Sequence, residues 1–187
     1  KTMDGMYTQE NPGSFTRVHE VDLAVVGGGM AGTAAAIAGA RLGLKTLLLQ
    51  DRPVLGGPAG TECDPDADGR LIGGCADWCN RDARETGVIE DIRLEGERRY
   101  INGYRSYYSE MLRDLCDEEP NLELLLNTSV FEVQKEGDRI TELKARTLGA
   151  ELLHIVHAKA VADCTGDGTV GFMAGAEFRM GREASSE

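Results

Sequence analysis

Gly27, Gly29 and Gly32 stand at a G-x-G-x-x-G spacing within Gly27-Gly28-Gly29-Met30-Ala31-Gly32. Glycines so placed do phosphate chemistry without a basic side chain. The first permits a tight turn, the second lets the backbone approach a pyrophosphate, and the third lets a helix pack close to the strand behind it. The anion is then held by N–H groups and the dipole of the helix N-terminus. Alone the motif means little; its surroundings decide. Here an apolar strand, Val21-Asp22-Leu23-Ala24-Val25-Val26, runs straight into the loop, and an Ala-rich helix follows to Leu42. After Gly43 a second apolar strand runs Lys45-Thr46-Leu47-Leu48-Leu49. Val21 to Asp51 therefore reads as one strand–loop–helix–strand unit for a dinucleotide. A glycine-rich turn with no ligand is the alternative.

The end of the second strand selects the ribose contact. An acidic residue about 20 positions beyond the glycines takes the ribose hydroxyls in such units. Gln50 holds that position and Asp51 follows it. A Gln amide can bond a diol, though without the charge-assisted strength of a carboxylate. Gln50 and Asp51 are thus alternative ribose ligands, and Asp51 also reads as a solvated turn residue before Arg52-Pro53. A second glycine signal lies near the other end of the chain. The apolar run Ala160–Cys164 stops at Thr165-Gly166-Asp167-Gly168, ahead of a short predicted helix from Thr169 to Ala174. Ligands of open α/β sheets sit at the carboxyl ends of strands. Two glycine loops at neighbouring strand ends therefore point to one ligand touching both. Capping of the short helix by Thr165 or Asp167 is the competing explanation.

The elements that must position these loops are legible from spacing. Residues 1–20 are polar and contain Asn11-Pro12-Gly13-Ser14, which predicts an N-terminal arm; residues 21–187 form the domain. Pro53 to Gly74 is rich in Gly, Pro and Asp and reads as an irregular loop, a kind usually functional or disordered. Helical spacing covers Ala83–Glu95 and Arg105–Glu118, the second ended by Pro120-Asn121. The period then changes to that of strands: Leu122–Leu126, Thr128–Lys135, a turn at Glu136-Gly137-Asp138, Arg139–Leu148, a turn at Gly149-Ala150, and Leu152–His157. Three antiparallel strands, a meander, are expected to feed the core strand Ala160–Cys164.

Composition narrows the setting. The chain has 187 residues, 41% hydrophobic and 28% charged, as in ordinary globular domains. A net charge of −12 disfavours nucleic acid or an anionic membrane as partner. No apolar run approaches the roughly 18 residues of a membrane span, and the first twenty residues lack the apolar core of a signal peptide. Five cysteines cannot all pair within one chain, which favours a reducing compartment; a cytoplasmic protein is expected.

Taken together, these stretches resemble the FAD-dependent oxidoreductases of the glutathione-reductase-like superfamily. More narrowly, the chain is similar to a bacterial family related to the flavin subunit of heterodisulfide reductase. The resemblance rests on Asp22–Gly32, on Leu48-Leu49-Gln50-Asp51-Arg52-Pro53-Val54-Leu55-Gly56-Gly57, on Ala83–Gly87, on Leu124–Val130 and on Ala160–Gly181. It implies a flavoprotein with a Rossmann-like FAD-binding domain: a parallel sheet carrying an inserted antiparallel meander. It further implies that Gly27, Gly29 and Gly32 face the pyrophosphate and that Gln50, Asp51 and Arg52 surround the adenosine ribose. Gly56 and Gly57 would pass near the phosphates or flavin, the backbone of Val130 would meet the adenine edge, and Thr165, Gly166 and Asp167 would lie near the pyrophosphate and ribityl chain. The expected function is hydride transfer between a small-molecule substrate and FAD. A non-catalytic dinucleotide-binding module within a larger assembly is the alternative.

Members of that family are several hundred residues long, so a further segment or a second chain is expected to complete the flavin site. Catalytic residues are correspondingly unassigned. His154 and His157 lie on opposite faces of a strand and read as structural. Trp78, Tyr100, Tyr104, Tyr107 and Tyr108 read as pocket lining or as packing. Cys75 and Cys79 form a C-x-x-x-C pair that Cys63 extends to three thiols; they suit a reducible disulfide or a metal, or are unligated. An iron–sulfur cluster takes about four thiolates, and no metal site is assigned. Cys116 and Cys164 read as small core residues.

Overall fold

The computed structural model describes residues 15–57, 86–99 and 108–181. The three loop cysteines, Trp78, Tyr100, Tyr104, Tyr107 and most of the Pro53–Gly74 loop lie outside the described residues. The elements are β1 (Phe15–Val26), α1 (Met30–Arg41), β2 (Thr46–Leu49), α2 (Val88–Arg99), α3 (Tyr108–Asp117), β3 (Leu122–Leu125), β4 (Thr128–Glu136), β5 (Arg139–Thr147), β6 (Leu152–Asp163) and α4 (Thr169–Met173). They form the α/β domain that the spacing predicts. One six-stranded sheet runs β3-β2-β1-β6-β5-β4, with β3, β2, β1 and β6 parallel and β6, β5 and β4 antiparallel.

Two strands are longer than expected. β1 begins at Phe15, so residues 15–20 of the predicted arm belong to the sheet. Leu152–His157 and Ala160–Cys164 are not separate strands; they fuse into β6, which pairs with β1 from Phe15↔Leu152 to Val26↔Asp163. The physical reason is the lack of any turn residue at His157-Ala158-Lys159, and an ion pair at 2.6 Å between Lys159 Nζ and Asp22 spans the two strands there. α2 runs from Val88 to Arg99 rather than ending at Glu95, starting after Gly87, whose φ is 81°. The hairpin at Gly137-Asp138 forms as predicted, Gly137 supplying a positive φ of 60°.

The long pair folds the sheet over itself. Twelve extended residues of β6 span roughly 36 Å. Thr128 is laddered through Thr147 to Leu152, the first residue of β6, yet its N–H bonds Gln50 C=O, one residue beyond Leu49, which pairs with Val26 beside the last. Only a strongly coiled β1–β6 pair closes that circuit, laying the meander on one face of the parallel strands. The cores agree. Ala24, Val26, Leu47 and Leu49 pack with Val130, Leu143, Ala145 and Val156 on that face. On the other face, Val25 and Leu48 pack with Ala36 and Ile37 of α1, Ile92 of α2, and Met111, Leu112 and Cys116 of α3. The result is three layers: helices, parallel sheet, meander.

The histidines serve this folding. His154 is fully buried; its Nδ1 lies 2.9 Å from His19 Nε2 and its Nε2 2.9 Å from Thr147 Oγ1. His157 points the other way, half-buried, between Glu20 and Glu142, which raise its pKa. Burial, and then the nearby His19 and Arg17, push the His154 pKa down from 6.5 to about 4. The folded chain therefore refuses a proton that the unfolded chain accepts. The stability tied to His154 should be full above pH 6.5 and be lost as the pH drops toward about 4, whereas the contribution of His157 is lost as the pH rises. Unfolding curves across that range should show the slope, and His154→Gln should flatten it. Leu48→Ala, at a fully buried position, should cost about 2–5 kcal/mol, whereas Leu42→Ala, 83% exposed, should fall within about 0.5 kcal/mol.

Candidate functional site

The two glycine loops emerge side by side because β1 and β6 end together, Val26 opposite Asp163. Their glycines have different jobs. A Cβ at Gly27, where φ is 102°, would lie 2.3 Å from the carbonyl oxygen of Cys164, and one at Gly32 would lie 1.8 Å from that of Gly27. These two are required by the packing of loop, helix and β6. Gly29 is different: a Cβ there meets nothing within 4 Å. It opens onto a cavity of about 380 Å³, within the range of ligand pockets.

That cavity brings together most of the residues singled out in the sequence. Gly27, Gly29, Gln50, Asp51, Arg52, Gly57, Val130, Thr165, Gly166 and Asp167 line it. Gly28, Met30, Ala31, Gly32 and Gly56 do not. Gly28 and Gly56 are joined by a hydrogen bond, Gly56 N–H to Gly28 C=O at 2.9 Å, which sets the second wall against the glycine loop. Met30 turns to the helical layer, its sulfur 3.9 Å from the Tyr108 hydroxyl. The wall also contains Val26, Leu49, Thr128, Ser129, Cys164, Thr169 and Val170, none assigned to the pocket from sequence. Thr128 and Ser129 arrive only because the sheet folds over, so no local pattern marks them.

No side chain caps α1, whose N-cap is Gly29, and no acidic residue occupies its first turn. α1 thus starts directly behind Gly29, which lines the cavity, and the positive end of its dipole has no competing side chain. Val130 contributes from the opposite side. Thr128 N–H points away from β5 to Gln50, and residues two apart in a strand point alike. The backbone N–H and C=O of Val130 thus face the cavity while its side chain, 8% exposed, packs in the core. The expected core residue and the expected backbone contact coexist.

The second loop is shaped by Asp163, a residue the sequence reading passed over. Its carboxylate accepts the Thr165 hydroxyl at 2.7 Å, the Thr165 N–H at 3.1 Å and the Gly171 N–H at 2.8 Å. Burial pushes its pKa up, but these donors outweigh that and hold it below the usual range. Thr165 Oγ1 in turn accepts the Thr169 N–H at 2.9 Å, bracing the start of α4, although the N-cap of α4 is Gly168 and neither Thr165 nor Asp167 caps it; Asp167 stays exposed at the cavity. Cys164 is half-buried in the wall, its thiol pKa raised by burial and by Asp163. Cys116 is buried among the helices, its thiol pushed up to about 12. Neither carries the marks of an activated thiol. Among the described residues, no three His, Cys, Asp or Glu side chains are grouped to hold a metal.

Residues 22–187 match the family described as FAD dependent oxidoreductase. The chain belongs to that family. Its cofactor is FAD. Among curated relatives, the chain is 36% identical over 117 residues to the tRNA uridine 5-carboxymethylaminomethyl modification enzyme MnmG of Wolinella succinogenes, covering 56% of this chain and 18% of the relative. It is 30% identical over 137 residues to the enzyme of the same name from Aliarcobacter butzleri, covering 67% and 22%. The chain thus spans about a fifth of the length of these relatives. Among solved structures, a geranylgeranyl bacteriochlorophyll reductase-like protein of Thermoplasma acidophilum superposes with a TM-score of 0.56 at 22% identity, over 86% of this chain and 43% of that one. Adenylylsulfate reductase of Archaeoglobus fulgidus superposes with a TM-score of 0.51 at 16% identity, over 86% and 32%. These likenesses are of fold.

The residues present fit the cofactor of the family. A ligand can reach the Gly29 backbone, an uncapped helix N-terminus faces it, and a strand edge offers paired backbone groups on the far side. The glycine geometry makes a separable expectation. Gly29→Val should leave the thermal unfolding of the FAD-free protein near that of the wild type while abolishing FAD retention. Gly27→Val and Gly32→Val should lower the unfolding temperature even without FAD.

Proposed function

We propose that this chain holds the adenosine diphosphate half of FAD in an oxidoreductase that passes a hydride between its substrate and the flavin. The observation that carries the reading is the open space at Gly29, where an uncapped α1 meets both glycine loops. In it, α1 and Gly29 hold the pyrophosphate, Asp51 and Arg52 flank the ribose, Val130 offers its backbone to the adenine edge, and Thr165, Gly166 and Asp167 line the path toward the ribityl chain. When bound, the flavin itself accepts and returns the electron pair. The residues described here bind it, orient it and keep its phosphates out of bulk water.

The reactive ring and the substrate take their contacts from a further segment or a second chain. Two features support this. Past Val156, β6 has no partner on the side away from β1 among the described residues, leaving an open edge beside the second loop. Next to it Phe172, Phe178 and Met180 are 64%, 63% and 91% exposed, and the two phenylalanines meet edge to face. The relation to heterodisulfide reductase, with its iron–sulfur chemistry, and a cytoplasmic setting belong to the same reading, resting on the sequence resemblance and the cysteine count.

The relatives named for tRNA modification add tRNA uridine as a substrate class. The net charge of −12 argues against nucleic acid only for this stretch, about a fifth of those relatives' length. A non-catalytic dinucleotide module would build the same pocket, and spectroscopy separates the two. The full-length protein should carry structured flavin absorption that a reductant bleaches and oxygen restores. Flavin that no donor reduces would favour the non-catalytic module. Salt-dependent binding of tRNA by the same preparation would favour the nucleic-acid substrate, and its absence a small molecule.

A further inference from the structure

Gln50 stands where the ribose ligand is expected, yet its hydrogen bonds are made to the protein. It is only 4% exposed. Its N–H donates to Leu125 C=O at 2.9 Å and its C=O accepts Thr128 N–H at 2.8 Å. Its side-chain Oε1 accepts Gly28 N–H at 2.7 Å, and Nε2 donates to Val54 C=O at 3.1 Å. One amide orientation alone satisfies both side-chain contacts, because an N–H must meet the oxygen and a carbonyl must meet the NH₂.

We propose that Gln50 is a positioning residue for the pyrophosphate loop and that Asp51 makes the ribose contact in its place. The proposal rests on reading the cavity as the adenosine diphosphate site. Gly28 is held on every side: its N–H by Gln50, and its C=O by Gly56 N–H at 2.9 Å and the Thr33 hydroxyl at 3.3 Å. A Cβ at Gly28 would lie 2.5 Å from Leu55 Cδ2 and 3.0 Å from Gln50 Cβ. With Gly28 so wedged, Gly29 and the first turn of α1 stay open to the ligand. Through Thr128, the same residue sets the position of β4 and hence of the Val130 backbone. A Glu in this position could accept from Gly28 but has no hydrogen for the Val54 carbonyl. Asp51, by contrast, is exposed and lines the cavity.

The test uses the full-length protein freed of FAD and titrated with FAD, ADP and 2′-deoxy-ADP. Gln50→Glu should weaken FAD and ADP binding about tenfold, the scale of one lost hydrogen bond and an unmatched carboxylate. Were Gln50 the ribose ligand, the carboxylate would accept the ribose hydroxyls more strongly and tighten both; that result overturns the proposal. Gln50→Ala should weaken ADP and 2′-deoxy-ADP by the same factor, leaving the wild-type preference between them intact. Asp51→Ala should erase that preference. If Gln50→Glu does not fold, the Asp51 arm still decides, since Asp51→Ala with undiminished discrimination contradicts the assignment. A wild-type protein that binds FAD but not ADP would instead overturn the adenosine diphosphate reading of the cavity, and this proposal with it.

Discussion

The parallel pairing of β1 with β6 is the constraint on which the rest of the structure depends. It joins residues near the two ends of the described chain and runs the whole length of both strands. At one end it sets the two glycine loops next to each other. Along its length it coils enough to carry the meander over the parallel sheet. A break in this pair would separate the loops and uncover both faces of the β layers at once. The buried His19–His154 contact and the Asp22–Lys159 ion pair are cross-links along it, made by side chains of opposite burial.

Packing at the loop junction leaves little freedom. Gly27 has no room for a side chain because the Cys164 carbonyl sits against it, and Gly32 has none because Gly27 does. Close packing of this kind transmits any displacement of β6 directly to the helix N-terminus. The open face of Gly29 is a by-product of that tight junction: the protein fills every side of the loop but one. A cavity arises there from four pieces distant in sequence, with β4 as its far wall.

Similar logic explains why the site is electrostatically spare. The described walls offer an uncapped helix, backbone groups of an edge strand, and the side chains of Asp51, Arg52 and Asp167. Fixed dipoles hold a pyrophosphate without a lysine, and they need no reorganisation when it arrives. Asp163, placed at a strand end where a ligand contact would stand, is occupied in bracing its own loop.

Much of this was legible in the residues. Apolar runs, the glycine spacing and the Gly137-Asp138 turn are local signals, since each reflects what a few neighbouring residues can do with their own backbone. They determined the α/β class, the two glycine loops and the strand end at Gln50 and Asp51, while Arg52, Gly57 and Val130, which also line the cavity, came from the family resemblance. What the tertiary structure alone decided depends on partners far along the chain. Residues 15–20 look like an arm until β6 offers them a ladder. Thr128 and Ser129 look like a strand start until the coiled sheet carries them to Gln50. Gln50 itself shares its position with ribose ligands, but a buried amide takes whatever donor and acceptor packing brings nearest. Here those are Gly28 and Val54, because the fold left no water to satisfy them.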